Sequence, residues 1–204
     1  MQLPRGDQRA RLKAFVELPL LLLAALVVTL IVKALLAQAF YIPSESMAPQ
    51  LREGDRVVVS RTSYRLHDPH RGDVVVFPSP AAPPDDDGLI EGLWSDVLGA
   101  VALGRPDESE LIKRVIGLPG EVIQGRDGGV VIDGRTLVEP YIGPEVRTSD
   151  FGPITIPEGH VFVMGDNRTN SHDSRYPDIG PIDIDTLIGR AIARVWPPGR
   201  TAFL

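Results

Sequence analysis

Three stretches of the chain carry side chains able to do chemistry. Pro43-Ser44-Glu45-Ser46-Met47-Ala48-Pro49 spaces two serines two positions apart between prolines. Prolines hold a backbone extended, and alternation along an extended chain puts both hydroxyls on one side. That presentation suits a nucleophile beside a second hydroxyl donor; a Ser-rich structural turn has the same composition. The second stretch, Leu111-Ile112-Lys113-Arg114-Val115-Ile116-Gly117-Leu118-Pro119-Gly120, sets a lysine in a β-branched run. On an edge strand Lys113 would be an ordinary surface residue. Buried, it would lose the ammonium form more easily, by up to ~3 to 5 pH units at full burial, which is how a lysine becomes a general base. The third, Gly165-Asp166-Asn167-Arg168-Thr169-Asn170-Ser171-His172-Asp173-Ser174-Arg175, is denser in hydrogen-bonding groups than a turn needs. Asp166, Arg168, Asp173 and Arg175 can form charge pairs that hold Ser171 in place, the support a preorganised site requires.

Ser171-His172-Asp173 reads like a compressed Ser-His-Asp triad, but adjacent side chains on an extended chain point to opposite faces and cannot converge as a triad does. A long-range pairing of Ser46 with His172 is the alternative that survives this geometry. His67, His70 and His160 have no zinc-ligand spacing and read as surface or loop residues.

The elements that must position these groups are short strands. β-branched runs punctuated by turn residues predict strands over 56–60, 73–77, 111–116, 121–124, 130–132, 160–164 and 187–196. Such spacing implies an antiparallel sheet, closed or folded over like a barrel. Asp133-Gly134 between two apolar triplets reads as a hairpin turn, because Asp-Gly tolerates the positive φ that matches strand twist. Residues 78–110 interrupt the rhythm. They open with a Pro-rich, Asp-rich loop and continue with Ile90, Leu93, Trp94, Val97, Leu98 and Val101 at helical spacing. That helix either docks on its own domain or rests on a membrane surface, with Trp94 at the interface.

Composition removes several classes of function. The 204 residues suffice for one core of ordinary size with appendages, and 20 Gly with 19 Pro argue for turns and short strands rather than bundles. A formal charge of −6 and a pI near 5.2 leave no basic face for nucleic acid. With no cysteine, disulfides, thiolate metal sites and cysteine nucleophiles are excluded. No metal ligand set is recognisable.

The N-terminus gives the compartment. Arg5, Arg9, Arg11 and Lys13 precede an apolar stretch over 18–40, long enough as a helix to cross a ~30 Å hydrocarbon core. The basic flank puts residues 1–17 in the cytoplasm and residues 41–204 outside it. A cleaved secretory signal is the other reading, with Ala37-Gln38-Ala39 as its small-residue cleavage site.

Taken together and in order, Pro43 to Leu51, Arg71 to Phe77, Lys113 to Gly120 and Gly165 to Arg175 resemble the type I signal peptidases, membrane-anchored serine proteases that remove signal peptides from exported proteins. The resemblance implies Ser46 as nucleophile and Lys113 as general base. It implies an oxyanion hole from the Ser44 hydroxyl and the Ser46 amide, and Ser171 holding the lysine. Asp173 and Arg175 would support that geometry, with Asp166 and Arg168 as further struts. No cofactor is implied, since base, nucleophile and oxyanion donors complete acyl transfer. Thr169 stands where many members have aspartate, and the 78–110 insertion is longer than the strand connection requires.

The family binds an extended peptide with small residues beside the cut and two positions before it, a spacing that follows the strand period of two. Ile42, Pro43, Leu51, Leu111 and Ile112, with Phe40, are the expected pocket walls. The expected partners are signal peptides of exported preproteins and the lipid bilayer of a prokaryotic cytoplasmic membrane, at whose outer face the domain would act. Protein-export machinery is a further candidate. Two rivals are a self-cleaving repressor-type Ser-Lys protease, opposed by the membrane segment, and a non-enzymatic tethered β-module, opposed by the joint presence of Ser46, Lys113 and Ser171.

Overall fold

The computed structural model describes residue 17 and residues 19–26, 37–80 and 110–204. Residues 17 and 19–26 are helical. Among the described residues no helix is long and apolar enough to cross a membrane.

The rest is antiparallel β-structure. One sheet orders its strands β1 (Ala37–Tyr41), β2 (Arg56–Ser60), β11 (Gly189–Trp196), β3 (Val74–Pro78), β4 (Glu110–Gly117), β9 (His160–Met164) and β10 (Ile182–Asp183), with β12 (Ala202–Phe203) added to β11. A smaller sheet orders β7 (Arg135–Thr136), β6 (Gly129–Ile132), β5 (Val122–Arg126) and β8 (Phe151–Thr155). A four-residue helix, α1 (Ser63–Leu66), follows β2. The larger sheet runs from an edge at β1 to an edge at β10, so among the described residues the expected barrel-like closure is two open sheets instead.

Alternation along the central strands sorts side chains into separate cores. On β3, Val74 and Val76 pack with Ile42, Met47, Leu51, Val57 and Val59, while Val75 and Phe77 join Val115, Val161 and Val163 on the opposite face. Ile116, Phe162 and Met164 face a third core shared with Ile123 and Val130 of the smaller sheet and with Ile156, which follows β8. Strands β3, β4 and β9 are therefore buried on both faces, which is why their apolar residues read as continuous runs rather than alternating ones.

Two sequence expectations change. Residues 37–41 form strand, each paired with β2 from Ala37↔Ser60 to Tyr41↔Arg56, so the apolar segment cannot continue as helix to residue 40. The 78–110 insertion is also shorter than expected, since Pro78 and Glu110 pair at the end of the β3–β4 ladder. The helix expected from Ile90 to Val101 lies outside the described residues.

Candidate active site

The first serine stretch is the loop of the β1–β2 hairpin. Beyond Tyr41↔Arg56 the ladder continues, Ile42 N–H donating to Asp55 O at 2.9 Å and Gly54 N–H to Ile42 O at 3.0 Å. The chain between them is not extended, as the prolines suggested: Ala48 N–H reaches Glu45 O at 3.0 Å and Leu51 N–H reaches Met47 O at 2.9 Å, closing turns over 45–51. Met47 and Leu51, both with no exposed surface, plug these turns into the core. Ser46 is thereby fixed while Ser44 stays exposed, its hydroxyl donating to Ser46 Oγ at 3.2 Å.

Lys113 comes from β4 and is 3% exposed. Its Nζ donates to Ser46 Oγ at 3.1 Å and to Ile112 O at 2.9 Å. Burial, partly opposed by the negative charge of Asp173, pushes its pKa from 10.5 down to about 8. The two side chains are 67 positions apart in sequence.

The 165–175 loop follows β9 and braces both. Asn167 N–H donates to Ser46 O at 3.0 Å, and its side-chain amide donates to Glu45 O at 3.2 Å. Asp173, fully buried, accepts from Gly165 N–H at 3.0 Å and from Arg175 Nε and Nη2 at 2.8 and 2.9 Å. Asp166 accepts from Arg114 Nε and Nη2 at 2.8 and 2.7 Å. Arg168 Nε donates to Gly165 O at 3.1 Å. Gly165 must be glycine, since a Cβ there would overlap both the Ser46 carbonyl and the Ser171 hydroxyl. Ser171 lies in this packing, but among the described residues its buried Oγ has no hydrogen-bond partner, and both hydrogen bonds of Lys113 Nζ go elsewhere.

Of the expected pocket walls, Ile42, Leu51 and Ile112 are 1%, 0% and 7% exposed and belong to the core beneath the nucleophile loop. Leu111 packs with the opposite core, so it and Ile112 do not share a wall. Phe40 is half-buried against the first core and Pro43 is exposed. Along β4, pairing with β9 begins at Arg114↔Met164, so among the described residues the β9-facing edge of residues 111–113 has no ladder partner.

His172 points away from this chemistry, its half-exposed ring bonded to Asp178 Oδ2 at 2.7 Å. Among the described residues no group of three or more His, Asp or Glu side chains could hold a metal ion. Asn167 and Arg114 were not anticipated from sequence. Both act through contacts to residues distant in sequence, for which local spacing offers no signal.

Residues 15–196 match the family model described as signal peptidase, peptidase S26. Signal peptidase I of Mycobacterium tuberculosis is 36% identical, the match covering 97% of this chain and 76% of the relative. Probable signal peptidase I-2 of Synechocystis is also 36% identical, over 93% of this chain and 77% of the relative. A crystal structure of a signal peptidase I from Enterococcus faecalis aligns with 61% of this chain and 97% of its own, at 30% identity and a TM-score of 0.41.

Proposed function

The chain belongs to the signal peptidase family, peptidase S26, and from that footing we propose that Ser46 and Lys113 remove signal peptides from exported preproteins as nucleophile and general base. The observation that supports this most is a lysine almost without solvent exposure, held 3.1 Å from a serine hydroxyl. Uncharged, Lys113 accepts the Ser46 proton as Oγ attacks the scissile carbonyl. The developing oxyanion is met by the Ser46 amide and by the Ser44 hydroxyl, which turns from Ser46 Oγ to the substrate. Lys113 then gives its proton to the leaving amine. Water deprotonated by Lys113 attacks the acyl-enzyme, and the Ser46–acyl bond breaks as Oγ regains a proton.

The extended substrate adds along the β9-facing edge of residues 111–113, beside the nucleophile loop and ahead of the β4–β9 ladder, so that alternate side chains enter neighbouring pockets. Small residues beside the cut and two positions before it are selected there. Asp173 and Arg175 hold the loop, and Ser171 takes up Lys113 when the lysine leaves Ser46. Residues 18–36, ~28 Å long as a helix, serve as a single span with the N-terminus cytoplasmic. Strand β1 begins directly after them, and the catalytic domain faces the outer side of a prokaryotic cytoplasmic membrane.

Cleavage of a synthetic signal-peptide substrate in detergent by wild type, Ser46→Ala, Lys113→Ala and His172→Ala tests the assignment. The first two variants are expected to lose at least ~10³-fold in kcat, and His172→Ala to stay within about twofold, as an exposed side chain away from the reacting groups should. An active Lys113→Ala beside a dead His172→Ala would replace the lysine by the histidine as base.

A further inference from the structure

Two side chains outside the serine loop, β4 and the 165–175 loop close a ring beside Ser46 and Lys113. Residues 137–148 lead from β7 towards the 165–175 loop and carry Glu139 and Tyr141. Glu139, 5% exposed at its side chain, accepts from Arg168 Nη1 at 2.9 Å and also meets Arg168 Nη2. Tyr141 donates its hydroxyl to Glu139 Oε1 at 2.7 Å, and its ring lies 4.2 Å from the Arg114 guanidinium carbon. Burial and the Glu139 charge push the phenol well above its ordinary pKa, so it remains a donor across the working range. Arg114 returns the ring to its start through Asp166, next in sequence to the Gly165 carbonyl that Arg168 holds.

Each arginine grips a different part of the site. Arg114 follows Lys113 on β4, and besides Asp166 it binds Gly72 O at 2.7 Å and the side chain of Gln50, four residues beyond Ser46. Arg168 fixes Gly165, against which the Ser46 carbonyl and the Ser171 side chain are packed. The base strand, the nucleophile loop and the 165–175 loop thus meet at two guanidinium groups. Their remaining faces are occupied by an aromatic ring and a carboxylate. Two buried cations and two buried anions balance, so the ring is held by directional contacts rather than by a net field.

We propose that Glu139 and Tyr141 are positioning residues that set the separation of Ser46 and Lys113, an inference that rests on the Ser-Lys assignment above. Neither reaches the reacting atoms. Attack and proton transfer depend steeply on geometry, ~1 Å of misplacement costing ~100-fold, whereas substrate affinity depends on surfaces these residues do not form. Their loss therefore slows chemistry at unchanged half-saturation.

The test is single-turnover cleavage of the synthetic signal peptide by the full chain in detergent. Wild type is compared with Tyr141→Phe, Tyr141→Leu and Glu139→Gln, with Ser46→Ala and Lys113→Ala alongside. Each rate is divided by the folded fraction from urea unfolding in the same detergent. Tyr141→Phe keeps the ring under Arg114 and loses only the bond to Glu139; a three- to tenfold slowing is expected, on the order of one neutral hydrogen bond. Tyr141→Leu and Glu139→Gln should slow cleavage about 10- to 100-fold, with substrate half-saturation unchanged in all three. If the slowing disappears on division by the folded fraction, or falls on half-saturation instead, the residues are structural or substrate-binding and the inference is wrong. Should Glu139→Gln fail to fold, the order of the two Tyr141 variants decides. Active Ser46→Ala or Lys113→Ala would overturn the dyad itself, whereas inactive dyad variants beside full-speed Tyr141 and Glu139 variants would overturn only the positioning role.

Discussion

Replacing the buried lysine by an apolar residue of similar length should make the protein more stable at neutral pH while abolishing turnover. Lys113 has a folded pKa of about 8 against 10.5 for the free side chain. Below pH 8 it is protonated in both folded and unfolded chains, and burial of the ammonium then costs the folded state about 3 kcal/mol, at 1.36 kcal/mol per pH unit. Between pH 8 and 10.5 the unfolded chain binds more protons than the folded one, so wild-type stability rises with pH through this window and the penalty is gone above it. Lys113→Met has no such titration. Its stability advantage over wild type should therefore shrink by about 3 kcal/mol between pH 7 and about 10.5. The lost bonds to Ser46 and Ile112 offset the advantage by a roughly constant amount at pH 7 and below, so the slope is the diagnostic. Urea unfolding of both full chains in detergent, followed by circular dichroism at half-unit pH steps, measures it. Wild-type kcat should report the same group, falling ~10-fold per pH unit below about 8 when chemistry is rate-limiting. A stability difference that stays flat from pH 7 to 10.5 would refute the buried-lysine account. So would an acidic limb centred near 6.5, the range of an ordinary histidine.

Two further outcomes follow from particular contacts. Gly165→Ala should lose about 1 to 3 kcal/mol of stability and most of its turnover, because the added methyl displaces both the Ser46 carbonyl and Ser171; thermal unfolding with the peptide assay measures both. Ala37-Gln38-Ala39 should resist the enzyme's own cleavage, since every residue of β1 is paired with β2 and the proposed addition of substrate as a strand needs that backbone free. Intact-mass analysis of the purified full chain checks this, and a dominant species beginning at Phe40 would show that β1 opens.

Sequence was most legible where burial imposes composition. The runs at 56–60 and 160–164 are strands with the expected bounds, because apolar β-branched residues stand between turn formers. Strand β1 was hidden for the opposite reason. Ala-Gln-Ala-Phe-Tyr follows a long apolar run, and hydropathy alone cannot say where a helix gives way to a strand. Strand β8, Phe-Gly-Pro-Ile-Thr, carries the two residues that usually punctuate strands; as an edge of the smaller sheet it can accommodate Pro153 without losing a ladder bond in the interior. At the site, it is the joint resemblance to a family, not spacing, that singles out the serine, the lysine and the loop, and the fold brings the three together. Glu139, Tyr141, Arg114 and Asn167 stayed unread because their partners are fixed only once two sheets have packed.

That distribution has a physical cause. A buried base must be uncharged to work, so other buried charges beside it must not restore its proton. Asp173 is the nearest threat, since its negative charge favours the ammonium form of Lys113. Its carboxylate is instead spent on the Arg175 guanidinium and the Gly165 amide. Asp166 and Glu139 are neutralised in the same way by Arg114 and Arg168. Compensated pairs contribute little net stability when buried, because desolvation offsets most of their attraction. What they provide here is a rigid frame whose field on Lys113 is small enough for burial to set the pKa. On the proposed Ser-Lys assignment, the basic and acidic residues around Lys113 are therefore expected in matched numbers, and removing a single member should perturb catalysis through charge as well as through shape.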